Sequence, residues 1–229
     1  MAKLFLLRHL KSQWNKDDRF AGWVDNPLSD EGRAQAAGIA DQLRGQQIDV
    51  AYCNALIRCT ETVLRVYEKI DGKYPLFLHI DGGNMQEWGN YTGNGMGEVP
   101  FYVSEKLNER YYGSVQGLNK AQCKKEYGED VVQQWRRAYK VAPPEGESGE
   151  DTFNRVLPFY QQYIEKDLKA GKNVLVVASH NSLRAIAKHI ENISDDDVAN
   201  LELPFGALVE YEFDPSTGSG QAGKFTKLQ

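Results

Sequence analysis

The sequence predicts an α/β domain on a largely parallel sheet. Short apolar runs alternate with longer segments of helical periodicity, no stretch reaches the length of a membrane helix, and no internal repeat interrupts the pattern. With 229 residues, 41% hydrophobic and 26% charged, and a mean hydropathy of -0.56, the chain has a globular composition and is long enough for a self-sufficient core.

The elements follow in chain order. Lys3–Leu7 is a first strand running into a polar loop with Trp14. Ser29, with Asp30 and Glu31 behind it, caps a helix whose apolar face is Ala36, Ile39, Ala40 and Leu43 and which ends near Gly45. Asp49–Cys53 is a strand, Ala55–Ile70 a helix and Pro75–Ile80 a third strand. Between Asp81 and Pro100 the glycines and asparagines suit neither helix nor strand, which predicts a mobile loop, either a flap over a site or a neutral insertion. Helices are expected over Asn119–Tyr127, Glu129–Ala138 and Glu150–Ala170, the last with Pro158 in it or kinking it. Asn173–Ser179 is a strand, Ser182–Glu191 a helix, Ser194 caps a short helical turn and Ala207–Phe213 is the last strand. The expected organisation is one domain over 1–213 with an insertion at 81–100, then a disordered tail over 214–229 that includes Ser216, Thr217, Gly218, Ser219 and Gly220.

Three cysteines, Cys53, Cys59 and Cys123, have no paired short spacing, so neither a disulfide framework nor a zinc ribbon is indicated and a cytoplasmic location is expected. The net charge of -5 argues against nucleic-acid binding by the whole surface, which selects basic domains, and without an apolar run of about 20 residues no membrane partner is expected. An anionic ligand must therefore meet a local cluster of cations.

Two histidines stand where strands end, the edge at which open α/β sheets place their ligands. His9 follows Arg8 at the end of the first strand, and His180 follows Val174–Ala178 at the mouth of a helix. His79 and His189 lack that setting and are expected to be structural. Arg8, Arg58, Arg110, Lys120, Arg136 and Arg137 lie at loops or helix starts. Converging guanidinium groups would hold a small polyanion and keep a nearby imidazole unprotonated, hence nucleophilic toward phosphorus. Walker, G-x-S-x-G, H-E-x-x-H, C-x-x-C and EF-hand motifs are missing from the sequence.

Longer segments are more specific. Leu7-Arg8-His9 with Ser12, Trp14 and Asn15, the run Arg19–Asp25, Leu107–Gly113, Gln116–Lys120, Trp135-Arg136-Arg137 and Asn181–Ala185 together resemble the cofactor-dependent phosphoglycerate mutases of the histidine phosphatase superfamily. The resemblance implies a three-layer α/β/α sandwich with a mostly parallel central sheet, and an activity interconverting 3-phosphoglycerate and 2-phosphoglycerate. It implies His9 as the phosphoryl-carrying nucleophile, Glu109 as acid and base, and Arg8, Arg58 and His180 around the transferring group. Ser12, Asn15, Ala21, Gly22, Arg110, Tyr112, Lys120, Arg136, Arg137 and Asn181 would bind the glycerate phosphate and carboxylate. The implied cofactor is 2,3-bisphosphoglycerate, which primes the histidine, with no metal; the partner is a small phosphorylated glycerate, and monomer and homo-oligomer both stay open.

The chain departs from the family pattern at two places. Leu10 and Lys11 stand where the family has glycine and glutamate, which would bring a side chain and a positive charge toward the phosphate. Ser179-His180-Asn181-Ser182 replaces His-Gly-Asn-Ser, so an ungapped match leaves His180 one residue out of register. In an extended strand that step reverses the side chain, predicting a bulge or an imperfectly placed histidine. A phosphatase on a small phosphorylated metabolite, or a catalytically weak ligand-binding relative, are the alternatives these departures keep open.

Overall fold

The computed structural model describes residues 1–93, 95–215 and 223–228. One seven-stranded sheet organises it, in the order β3-β4-β2-β5-β1-β6-β7. The strands are β1 (Ala2–Arg8), β2 (Val50–Cys53), β3 (Tyr74–His79), β4 (Glu98–Val103), β5 (Val174–Ala178), β6 (Leu208–Asp214) and β7 (Lys224–Lys227). From β3 to β1 every neighbour is parallel; β6 runs antiparallel to both β1 and β7.

Alternation along the strands feeds two cores. Leu4 and Leu6 of β1, with Val174 and Val176 of β5, face a layer containing Val156, Phe159, Tyr160, Ile164 and Leu168. Phe5 and Leu7, with Leu175 and Val177, face Ala36, Ile39, Ala40, Val63 and Val66. Because β1 and β5 are covered on both sides, they read as unbroken apolar runs. Each such side chain, at 0–1% exposure, contributes roughly 1.5–3 kcal/mol through removal from water.

The helices of these layers are α1 (Gln13–Lys16), α2 (Asp30–Ala34), α3 (Ala36–Leu43), α4 (Ile57–Tyr67), α5 (Gly83–Glu87), α6 (Lys120–Tyr127), α7 (Glu129–Arg137), α8 (Gly149–Phe159), α9 (Glu165–Lys169) and α10 (His180–Glu191). The single helix expected from Ser29 to Gly45 is divided at Gln35 into α2 and α3. Ser29 caps the first as expected, its Oγ accepting from Gly32 N–H at 3.1 Å. Pro158 lies in the last turn of α8, and a π-helical turn over Tyr160–Ile164 joins it to α9. Proline has no N–H to complete the ladder, and the wider turn absorbs the break.

Two expectations are corrected. The segment 81–100 is not wholly a loop: it contains α5 and opens β4, whose Val99, Phe101 and Val103 are buried while the residues between them are only partly so. Preceding glycines and Pro100 mask that alternation, since proline is unusual inside a sheet. The tail is not irregular throughout either. β7 pairs with β6 from Asp214↔Lys224 to Tyr211↔Lys227, and Phe225 packs on Phe213 with ring centroids 4.9 Å apart. The expectation for Ser216–Gly220 falls outside the described residues.

A small third cluster of Phe20, Val115, Cys123, Val132 and Trp135 anchors α6 and α7 over the carboxyl ends of the strands.

Candidate active site

β1 and β5 are paired in register to their last residues, Arg8 opposite Ala178, and His9 N–H continues the ladder to Ala178 C=O at 3.1 Å. Their ends therefore deliver His9 and His180 side by side. α4, entered from β2, adds Arg58; the loop after β4 adds Glu109 and Tyr112; α6 and α7 add Lys120, Arg136 and Arg137. The cavity they line has a volume of ≈ 320 Å³.

His9 is 2% exposed and its Nδ1 lies 2.7 Å from Leu10 C=O. A carbonyl only accepts, so Nδ1 carries the proton and Nε2 keeps its lone pair. Burial holds the imidazole well below its usual pKa, and Arg58 and then Arg8 add to that by like-charge repulsion. Burial likewise pulls Arg8 down to about 10 and lowers Arg58. Arg58 is fixed by Gly22 C=O at 2.8 Å and Val24 C=O at 3.3 Å. Gly22 adopts a φ of +47°, and a Cβ there would stand 2.1 Å from Gln116 Oε1, the oxygen that accepts from Trp23 N–H at 2.6 Å. Only glycine lets this loop close down on the arginine.

Glu109, 7% exposed, has its two oxygens in different settings. Oε1 accepts from Arg110 N–H at 2.7 Å and from Asn181 Nδ2 at 2.7 Å and N–H at 3.3 Å. Oε2 makes none of these bonds, and Glu109 lines the cavity. Asn181 is itself held through Oδ1 by Arg110 at 3.0 Å and Arg184 at 3.2 Å. Arg184 also donates to Val198 C=O. This chain of bonds orients the carboxylate.

His180 is the first residue of α10, with Ser179 as its N-cap. The predicted bulge is absent: β5 ends at Ala178, so the step from 179 to 180 crosses from strand to helix and the reversal rule of an extended strand does not apply. Ser179 Oγ accepts from Asn54 at 3.0 Å and stands 3.5 Å from Arg58, while His180 lines the cavity. Burial keeps His180 well below its usual pKa, with Arg8, Arg184 and Arg137 adding to it. Its Nε2 accepts a long 3.4 Å contact from Leu203 N–H.

Leu10 and Lys11 do not intrude. Leu10 is fully buried in the core beside α3, its N–H donating to Thr62 Oγ1 at 3.0 Å, and Lys11 turns outward to Glu31 at 2.7 Å. The expected side chain and charge at the phosphate position are thus corrected.

Of the other sequence candidates, Asn15, Ala21, Gly22, Tyr112, Lys120, Arg136, Arg137 and Asn181 reach the cavity, and Ser12 and Arg110 do not. Ser12 makes a capping box with Asn15 at the start of α1. Arg110 lies behind Asn181 and donates to Trp135 C=O at 2.7 Å. Reasoning from sequence missed Asp18, Glu202 and Phe205 and gave no role to Arg19 and Phe20, all of which line the cavity. Arg19 and Phe20 belong to a quoted motif; Glu202 and Phe205 follow no motif and are placed only by the turn into β6.

The lining holds the cations Arg8, Arg19, Arg58, Lys120, Arg136 and Arg137 against the carboxylates Asp18, Glu109 and Glu202. That excess fits a small polyanion. Among the described residues no group of three or more His, Cys, Asp or Glu could hold a metal ion, and no helix is long and apolar enough to cross a membrane.

The chain matches the family model described as histidine phosphatase superfamily (branch 1) over residues 4–93 and 85–222. It is 45% identical over 221 residues to a 2,3-bisphosphoglycerate-dependent phosphoglycerate mutase of Gloeothece citriformis, covering 93% of this chain and 95% of that protein. To a protein of the same name from Methanococcus vannielii it is 42% identical over 215 residues, covering 93% and 92%. Among solved structures it resembles mycobacterial hydrolase 1, with a TM-score of 0.78 and 20% identity over 100% of this chain and 98% of that one. At that identity the likeness shows the fold.

Proposed function

The chain belongs to the histidine phosphatase superfamily, and from that premise we propose that it is a 2,3-bisphosphoglycerate-dependent phosphoglycerate mutase, interconverting 3-phosphoglycerate and 2-phosphoglycerate in the cytoplasm as a step of glycolysis and gluconeogenesis. The observation that carries the reading is His9, a buried neutral imidazole whose Nδ1–H is spent on Leu10 and whose Nε2 is free beside two guanidinium groups.

Nε2 is the atom that bonds phosphorus. Arg8 and Arg58 neutralise charge on the equatorial oxygens as the group moves, without reorganising, because both are already held by backbone carbonyls. Glu109 Oε2 takes the proton of the substrate hydroxyl as that oxygen bonds to phosphorus and the P–N bond to His9 breaks. In the return direction the same oxygen hands the proton to the departing alkoxide and His9 recovers the phosphoryl group from the neighbouring carbon. Arg136, Arg137, Lys120, Tyr112 and Asn181 bind the glycerate's remaining anionic groups, with Asn15 and the backbone at Ala21 and Gly22 beside them. Ser12 and Arg110 act by positioning Asn15 and Asn181. When bound, 2,3-bisphosphoglycerate supplies the phosphoryl group that first charges His9, and the cation excess of the cavity suits it.

The test is to incubate the protein with 3-phosphoglycerate, with and without catalytic 2,3-bisphosphoglycerate, and follow 2-phosphoglycerate and free phosphate together. Cofactor-stimulated isomer formation is the expected result. Phosphate alone makes the protein a phosphatase, and silence in both channels makes it a binding relative.

A further inference from the structure

Among the carboxylates that line the cavity, Glu202 has no part in the chemistry above. Asp18 is committed to Lys120, with Nζ and Oδ1 2.9 Å apart, and Glu109 to Asn181 and Arg110. Glu202 has a side chain 55% exposed, yet one of its oxygens is ion-paired with Arg137 Nη1 and the other lies 3.6 Å from His180 Nε2. The backbone beneath it is anchored: Leu203 C=O accepts from Arg8 Nη1 at 2.6 Å, and the Phe205 ring lies 3.8 Å from the Arg8 guanidinium. A half-exposed carboxylate on an anchored backbone thus occupies a cation that an incoming anion needs.

We propose that Glu202 is a resident carboxylate ligand at the Arg137 end of the cavity, which a substrate carrying a second anionic group must displace; the identity of that substrate rests on the phosphoglycerate reading. An ion lodged between His9, Arg8 and Arg58 leaves the Glu202–Arg137 pair standing. A molecule with both a phosphate and a carboxylate instead exchanges one carboxylate for another at Arg137, so its net gain there is small. Glu202 therefore lowers the ground-state affinity for phosphoglycerates without lowering that for inorganic phosphate, and its effect falls on KM more than on kcat. It also keeps Arg137 paired when the cavity is empty and takes the arginine back as product leaves.

Calorimetric Kd values for inorganic phosphate and for 2-phosphoglycolate, which carries one phosphate and one carboxylate, are measured on the wild-type protein and on Glu202→Gln and Glu202→Ala at one ionic strength. Both variants are expected to bind 2-phosphoglycolate about three- to fivefold more tightly, the size of a partly exposed ion pair, and to show a KM for 3-phosphoglycerate lowered by a similar factor. Inorganic phosphate should shift by less than about twofold. Equal tightening of both ligands would reduce Glu202 to a diffuse field effect and overturn the proposal, as would weaker binding of 2-phosphoglycolate, which would make Glu202 a support for Arg137. A wild-type protein that does not isomerise 3-phosphoglycerate but shows the ligand-selective effect sinks the mutase reading and leaves this one standing. Normal isomerisation with unmoved 2-phosphoglycolate affinity does the reverse.

Discussion

The cleft beneath residues 86–93, floored by Leu76, Leu78, Pro100 and Tyr102, has a volume of ≈ 890 Å³, while the cavity at the ends of β1 and β5 has ≈ 320 Å³. Of the charged groups of the larger cleft, Asp49, Glu98 and Lys172 are partnered locally, and Glu87 is the remaining charged side chain among its described lining residues. Asp49 accepts from Asn173 N–H at 2.8 Å, Glu98 bonds Tyr74 and Tyr91 at 3.1 and 3.0 Å, and Lys172 pairs with Asp167 at 2.8 Å. In the smaller cavity, cations outnumber carboxylates around a buried imidazole. Volume alone does not mark a reactive site; convergent, uncompensated charge records where chemistry can occur.

Substitutions should separate the two regions sharply. His9→Ala removes the atom that bonds phosphorus and should lower turnover on the order of 10⁴-fold or more. Intact mass after mixing with 2,3-bisphosphoglycerate should then show no phosphoryl adduct, and a variant that retained full turnover would end the assignment. Glu109→Gln should cost about 10²–10⁴-fold in kcat, the range of a lost general acid–base, read from steady-state rates.

Acidification tests the same cavity through stability. His9 and His180 are held neutral in the fold, well below their ordinary pKa, whereas in the unfolded chain they take up protons below about pH 6.5. The unfolded state therefore binds more protons as pH falls from there. Each histidine should then contribute a loss of up to about 1.4 kcal/mol per pH unit. Urea midpoints between pH 7 and 5 should show this slope shrinking in His9→Ala and in His180→Asn.

Ser12→Ala, which removes the cap of α1 and releases Asn15 at the cavity wall, should cost about 1 kcal/mol, or roughly 2–4 °C in Tm by calorimetry. Trp88→Ala lies beside the larger cleft on a side chain 80% exposed. It should change stability by less than about 0.5 kcal/mol and leave turnover unaltered.

The same contrast explains what was legible in advance. β1 and β5 are covered on both faces and end in histidines, so period and position pointed to one sheet edge. β4 was hidden because Pro100 and the glycines before it carry turn signals, although pairing with β2 and β3 overrides them. At the site, motif segments located Gly22, held by its own backbone conformation, and Glu109 and Asn181, which hold each other across 72 positions. The motif places Ser12 and Arg110 at the ligand because it names residue types without separating those that touch a ligand from those that orient its neighbours. Strand rules misplace His180 because the helix begins at that residue. Glu202 and Phe205 arrive from a turn whose path depends on Leu203 binding Arg8, a contact between residues 195 positions apart that no local pattern encodes.

The position of β1 in the sheet has a consequence for synthesis. Its neighbours are β5 and β6, residues 174–178 and 208–214, so once synthesised β1 finds no partner strand until more than 160 further residues have followed. At about 5–20 residues per second, that leaves Leu4–Leu7 unpaired for roughly ten seconds or more. Newly made chains are thus open to chaperone capture or aggregation at β1, and translational pausing after residue 50 should worsen the yield of folded protein more than pausing after residue 214.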